Sequence, residues 1–274
     1  MAEARVAEIR CSGTWGSSLS TGEFAAIRSV GFEPVGQVFG AAVYAAGAAS
    51  GSCCPAAGGS FGPLVEAMYQ ARHAAIDRMT AECARLGGHG VVGVLLSRGS
   101  FPLGGLEFTA IGTAVRAPGA AAGRRQPFTS DLSGQDFARL IMTGWVPVGL
   151  ALGISIGSRH DDRTTARQAR WGSGNAEIAG WTELVNESRH GARRRLESEV
   201  TRTGAEGVVI AAMRLRVSQQ ACPVTVGRRD HIAEATLLGT AIASFAAAGP
   251  SQAGPALAVM ALGPRRRRKA SGRI

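Results

Sequence analysis

Residues 19–40 read LSTGEFAAIRSVGFEPVGQVFG, and residues 132–153 read LSGQDFARLIMTGWVPVGLALG, so nine positions are identical at an offset of 113. Further matches follow in the same order. The run GVV at 90–92 returns at 207–209, and GTA at 112–114 returns at 239–241. The offset grows only between the matched segments, as expected if the extra residues lie in loops, where insertions are tolerated. The sequence therefore predicts a tandem duplication.

Each copy predicts the same elements. A short helix begins after a serine and an acidic residue and ends at a glycine. A Val/Ile/Leu/Phe-rich strand with proline near its start, a long helix with apolar residues at helical spacing, and two further strands follow. The predicted short helices span 23–30 and 136–143, the long helices 62–86 and 183–203, and the strands 34–44, 91–96, 108–116, 146–156, 208–213 and 235–243. After its short helix, each copy is thus predicted to be a β-α-β-β unit.

The predicted organisation is an N-terminal arm, two repeats, a linker and a tail. The linker is rich in Pro, Gly and Ala, and the tail is low in complexity, so we predict that the tail is disordered. The boundaries are 1–18 for the arm, 19–117 for repeat 1, 118–130 for the linker, 131–245 for repeat 2 and 246–274 for the tail.

Composition limits the function classes. The 274 residues are 45% apolar, and no apolar run reaches the length of a membrane span. The net charge of +10 arises mostly outside the repeats, because the segment after Phe245 carries six basic residues and no acidic one. The start of the chain lacks a secretory pattern and the five cysteines lack a framework spacing, so we expect a cytoplasmic protein with reduced thiols.

Two segments carry a family resemblance. MTAECARLGGHGVVGVLL at 79–96 with FTAIGTAV at 108–115, and the weaker copy SEVTRTGAEGVVIAAM at 198–213 with TLLGTAI at 236–242, resemble the YbjQ-like proteins, a family labelled heavy-metal-binding. The resemblance implies an α+β fold of two tandem dodecin-like units, each a helix packed on a three-stranded sheet. It also implies assembly into homo-oligomeric rings, with a pentamer favoured, and a divalent or soft heavy-metal ion as the ligand.

Candidate metal ligands lie in the loops between the first strand and the long helix. Cys53 and Cys54 are adjacent thiols that could share a soft ion, although an exposed reduced pair is the ordinary alternative. In the matching loop of the second copy, His160, Asp161 and Asp162 offer harder ligands, although a solvated acidic turn would look the same.

Two histidines match between the long helices. His73 and His190 lie off the apolar faces and have acidic neighbours at helical spacing, so they could bind a divalent ion. Ordinary pairs on the helix surface or contacts between subunits are the alternatives. Cys83 matches Val200 on the apolar face and is predicted to be a core residue. Cys222 and His231 fit no known metal-binding signature.

No nucleophile elbow, phosphate-binding loop or zinc-protease motif is present in the sequence, so we expect no enzyme. The favoured function is a non-enzymatic, ring-forming binding protein for a metal or small ligand. The alternatives are a purely structural oligomeric scaffold and nucleic-acid association through the basic tail. The tail residues concerned are Arg265, Arg266, Arg267, Arg268 and Lys269.

Overall fold

The computed structural model describes residues 16–45, 60–101, 105–119, 126–170, 174–222 and 224–245, together with Ala7, Cys11, Ser12 and the pair Met260–Ala261. These residues form α-helices and two β-sheets, which confirms the predicted α+β class. Within these ranges, no helix is long and apolar enough to cross a membrane.

The two sheets have the same strand order, although the short fourth strand is parallel to its neighbour in the first sheet and antiparallel to it in the second. The first unit contains α1 (Thr21–Ser29), β1 (Glu33–Ala45), α2 (Gly62–Arg85), β2 (Gly90–Phe101), β3 (Gly105–Arg116) and β4 (Phe128–Thr129). The second contains α3 (Gly134–Met142), β5 (Trp145–His160), α4 (Arg163–Gln168), α5 (Ala179–Arg202), β6 (Gly207–Ala221), β7 (Arg229–Ser244) and β8 (Met260–Ala261). The strand orders are β1-β3-β2-β4 and β5-β7-β6-β8, so the third strand of each unit lies in the middle of its sheet.

The structure extends several predicted strands. β2 and β6 continue beyond residues 96 and 213, and their last residues are mostly exposed, so the prediction of short buried strands was wrong there. Hairpin pairing with β3 and β7 holds these polar ends in place, because ladder hydrogen bonds do not require burial. A two-residue strand also adds to each predicted three-stranded sheet. Phe128–Thr129 falls in the segment predicted as linker, and Met260–Ala261 falls in the segment predicted as a disordered tail.

The first strand of each sheet lies unusually close to the long helix of its unit. A Cβ atom on Gly40 would lie 1.9 Å from the carbonyl oxygen of Ala75, and one on Gly153 would lie 2.1 Å from that of Ala192. Glycine at these positions therefore allows the strand backbone to contact the helix backbone directly. In both strands, the residue that precedes this glycine points to the opposite face of the sheet, away from the helix.

The two units share their cores. Leu150, Leu152 and Ile154 on one face of β5 pack into the same apolar cluster as Met68 and other residues of α2. A second cluster joins α1 and α3 to both sheets, through Ile27, Phe137, Leu140, Val92, Val115, Val209 and Ile242. Helix α2 thus packs between its own sheet and the second sheet.

Side chains occupy the outward peptide groups of β5, an edge strand. The N–H of Leu150 donates to Thr129 Oγ1 (3.0 Å), that of Leu152 to Glu199 Oε2 (2.9 Å), and that of Ile154 to Tyr69 Oη (2.8 Å). The Tyr69 hydroxyl in turn donates to the Leu152 carbonyl at 3.2 Å. The edge strand of the first sheet, β1, also has acceptors for its N–H groups. The N–H of Gln37 donates to the Gly16 carbonyl, and that of Phe39 donates to Glu82 Oε2.

The short helices are joined by one carboxylate. Glu23 and Ser20 form a capping box at the start of α1, and the N–H of Gly134 donates to Glu23 Oε1 at 3.1 Å. The hydrogen bond from the Ser20 backbone is the largest cause that lowers the pKa of Glu23 below its ordinary value. This carboxylate therefore caps its own helix and contacts the first turn of α3.

Candidate metal centre

Three strand ends meet at one end of the second sheet. β5 ends at His160, β6 ends just before Cys222, and β7 begins with Arg229 and Asp230. His160 lies opposite Asp230 in the antiparallel register, and the N–H of Cys222 donates to the Arg228 carbonyl at 3.0 Å to close the β6–β7 hairpin. The register and the hairpin together place an imidazole, a thiol and a carboxylate side by side.

The potential ligand atoms of His160, Cys222 and Asp230 all lie within 4.8 Å of one another. His160 Nδ1 is 2.8 Å from Asp230 Oδ1. Asp230 is completely buried, and its second carboxylate oxygen, Oδ2, has no hydrogen-bond partner in the structure as described. In the part of the chain that the structure describes, no other three His, Cys, Asp or Glu residues come this close together.

The cluster is electrostatically unbalanced. Burying a carboxylate oxygen without a partner costs free energy, because the oxygen loses its hydration and gains nothing in return. The hydrogen bond with Asp230 is the largest cause that raises the pKa of His160, and the nearby Cys222 raises it further. The site thus favours positive charge next to Asp230.

The donor set fits a metal ion. Thiolate, imidazole and carboxylate are the three side-chain ligand types of zinc, and the thiolate favours softer ions over magnesium or calcium. The unpartnered Oδ2 of Asp230 is the kind of buried acceptor that a bound cation satisfies. Cys222 is 8% exposed and His160 is more open, so an ion could reach the cluster from the His160 side.

A second set of contacts supports the loop that follows β5. Asp161 accepts hydrogen bonds from Trp181 Nε1 (3.2 Å) and from His231 Nε2 (3.1 Å), and the Trp181 and His231 rings are 4.6 Å apart between centroids. Asp162 caps α4 through the N–H of Thr165 at 2.6 Å. Of the three neighbouring candidates, only His160 therefore belongs to the cluster, while the two aspartates position the loop.

The remaining candidates lie elsewhere. His73 Nε2 is 3.1 Å from Glu199 Oε1 on the long helix of the second unit, and the His73 ring stacks on Tyr69. His190 is exposed on α5. Burial raises the pKa of Cys83 to about 12, as suits a thiol in the apolar core. Cys53, Cys54 and the tail residues Arg265, Arg266, Arg267, Arg268 and Lys269 lie outside the described residues.

The sequence does not identify Cys222 or Asp230 as ligands, because the spacing of Cys222 fits no metal-binding signature and Asp230 is not among the candidates. They are eight positions apart, and no standard metal-binding spacing connects them. Asp230 and His231 are adjacent polar residues near the start of β7, and both are buried. Adjacent buried polar residues in a strand need partners. Here the partners are His160 at the end of β5 and Asp161 in the loop that follows it.

Two comparisons place the chain among known proteins. Residues 30–118 match the family described as "Putative heavy-metal-binding". The chain is also 38% identical over 202 residues to the encapsulin nanocompartment protein Rv1762c of Mycobacterium tuberculosis. The aligned region covers 70% of this chain and 75% of that protein. The family match falls on the first unit, whereas the His160 cluster lies in the second.

Proposed function

Because the chain belongs to the YbjQ-like family, which is described as heavy-metal-binding, we propose that it is a non-enzymatic metal-binding protein. Its ligand would be a zinc-like divalent ion, bound through His160, Cys222 and Asp230. The observation that carries the proposal is the fully buried Asp230, which has an oxygen without a partner among the described residues and lies beside a thiol and an imidazole. A divalent ion would place a positive charge beside this buried carboxylate and balance its negative charge.

Each residue has a distinct part in this proposal. Asp230 contributes the negative charge, and its Oδ1 contact orients the imidazole of His160. Cys222 contributes the selectivity for softer ions, because thiolate binds them more tightly than hard ions. Asp161, through His231 and Trp181, holds the loop in place and contributes to the site only indirectly.

Calorimetric titration of the reduced full-length protein with Zn²⁺ and Cd²⁺ tests the proposal. We expect one ion per chain with a Kd below about 1 µM. Cys222→Ser is expected to weaken binding by about a hundredfold, because it removes a ligand atom. Cys11→Ser, which changes an exposed cysteine, is the matched control and should leave the affinity unchanged.

The same titration distinguishes the two cysteine sites. If the double variant Cys53→Ser/Cys54→Ser loses binding while Cys222→Ser retains it, the ion belongs to the adjacent cysteines and the His160 cluster is not the site. Binding of Mg²⁺ as tightly as Zn²⁺ would also contradict the proposed ligand set, because a thiolate disfavours magnesium.

A second candidate role is self-assembly, in which several copies of the chain form a ring. By the sequence match, Phe39 of β1 corresponds to Leu152 of β5, and both point away from the helix of their own unit. Leu152 is buried under α2, whereas Phe39, Val43 and Leu95 on the first sheet are 40%, 48% and 69% exposed. We propose that a second copy of the chain covers this face, as α2 covers the corresponding face of β5. The pentamer remains the preferred ring, and the relative's name, which assigns it to a nanocompartment, is compatible with assembly.

Native mass spectrometry tests this self-assembly. The wild-type chain is expected to form a discrete oligomer, and Phe39→Glu with Val43→Glu is expected to yield monomers, because two charges would be buried without partners. Val226→Glu, which alters a fully exposed residue in the β6–β7 hairpin, should leave the oligomer intact. A wild-type monomer at micromolar concentration would contradict the scaffold proposal.

A further inference from the structure

A cavity of about 700 Å³ lies where the two units meet, and it is separate from the His160 cluster. It is lined by residues of α2, β2, β5, β6 and β7. Its charged lining residues are Arg72, Arg98, Arg214, Arg216 and Glu234. Four guanidinium groups against one carboxylate give the lining a net charge of +3.

The sheet register concentrates these charges on one face. Arg216 pairs with Glu234 and Arg214 pairs with Thr236 across β6 and β7, so all four side chains project to the same side of the second sheet. Arg98 reaches the same place from β2 and forms a two-pronged contact with Glu234, at 3.0 and 3.4 Å. The carboxylate of Glu234 is therefore already paired with Arg98 of the first unit.

Arg72, on α2, is partly buried, whereas Arg214 and Arg216 are exposed. The Arg72 guanidinium lies 5.5 Å from the centre of the Phe108 ring, and its Nη1 is buried without a hydrogen-bond partner in the structure as described. Burial is the largest cause that lowers the pKa of Arg72 to about 10, and the neighbouring charge of Arg98 lowers it further. A buried guanidinium nitrogen without an acceptor is costly, and an anion in the cavity would supply the acceptor.

We propose that this cavity binds a small polyanion of the phosphate type, free or as part of a phosphorylated metabolite, through Arg72, Arg214 and Arg216. The volume lies within the range of small-molecule sites, roughly 300–1,000 Å³. Arginine matches phosphate oxygens with paired N–H donors, and a net charge of +3 favours a ligand with several negative charges. Lys269 is the only lysine of the chain, so arginine as a residue type carries no information here. The proposal instead rests on the clustering of these side chains and on the buried Nη1 atom of Arg72.

Calorimetry with tripolyphosphate, on the metal-free full-length chain at physiological salt, tests the proposal. We expect binding that Arg214→Ala weakens at least tenfold. Arg214 is exposed, so its replacement should leave the fold intact. Arg72→Gln is expected to weaken binding by at least as much. The matched control is Arg189→Ala, which removes the exposed arginine at the corresponding position of α5.

The outcomes separate the cavity from other cationic sites. Binding by the basic tail would persist in Arg214→Ala, so equal affinities in Arg214→Ala and Arg189→Ala would overturn the proposal, as would no binding tighter than about 1 mM. Citrate binding as tightly as tripolyphosphate, with the same variant dependence, would overturn the phosphate assignment. Stronger binding of a nucleoside diphosphate than of pyrophosphate would support a phosphorylated metabolite, and equal binding would support a free polyphosphate. Failure of the zinc titration has no bearing on these results, because the two sites share no residue.

Discussion

Gly153→Ala is expected to destabilise the protein by about 3 kcal/mol, although it adds a single methyl group. That methyl group would lie 2.1 Å from the carbonyl oxygen of Ala192 and 3.0 Å from Leu196 Cβ. The nearest obstacle is backbone, which cannot rotate away as a side chain can. β5 and α5 would therefore have to separate, and the apolar cluster between them would lose its packing.

Thermal unfolding provides the measurement. For a chain of this size, about 3 kcal/mol corresponds to a decrease in Tm of roughly 6 to 12 °C. Gly149→Ala is the matched control on the same strand, because its added methyl group would meet only Thr129 Oγ1 at 3.8 Å. Gly40→Ala should behave like Gly153→Ala, since its methyl group would lie 1.9 Å from the Ala75 carbonyl oxygen. Equal Tm values for Gly149→Ala and Gly153→Ala would contradict the close approach of strand and helix.

Asp230→Asn is expected to abolish stabilisation by zinc while it leaves the metal-free protein close to the wild type. An asparagine can still accept the hydrogen bond from His160, but it lacks the negative charge that the ion needs. At a zinc concentration a hundred times the Kd, the wild type should gain about 2.7 kcal/mol. The variant should gain less than about 0.5 kcal/mol at the same concentration.

Asp161→Asn provides the opposite signature. Asp161 holds His231 and Trp181 but is not part of the cluster. Its replacement is expected to cost about 1 to 2 kcal/mol of stability without metal, because the buried His231 loses a charged partner. The gain from zinc should persist. Denaturant unfolding measures the free energy of unfolding of both variants, with and without zinc. If Asp230→Asn retained the stabilisation by zinc, Asp230 would not be part of the metal site.

The regular elements could be predicted because each has to bury one face. The apolar spacing of Met68, Ala75 and Met79 indicates a helix, and all three residues are buried in α2. β4 could not be predicted, because two residues carry no periodicity and their strand exists only through pairing with β2. The exposed ends of β2 and β6 were missed for a similar reason, since their partner strand stabilises them.

The candidate site could be predicted only in part. His160 was found because it lies in a polar cluster after a strand, at a place where ligands commonly occur. Cys222 and Asp230 depend on the β6–β7 hairpin and on the pairing of β5 with β7, which no local spacing reveals. The contact of His73 with Glu199 likewise joins two helices from different units, 126 positions apart.

The capped edge of β5 limits how copies of this chain can grow into larger structures. An open edge strand recruits a strand from a neighbouring molecule, and repetition of that step yields fibres. Thr129, Glu199 and Tyr69 occupy three successive outward N–H groups of β5, so a foreign strand would first have to displace them. Strand addition on this side is therefore blocked, and the self-assembly proposed above would have to use a sheet face, where a ring can close at a fixed number of copies.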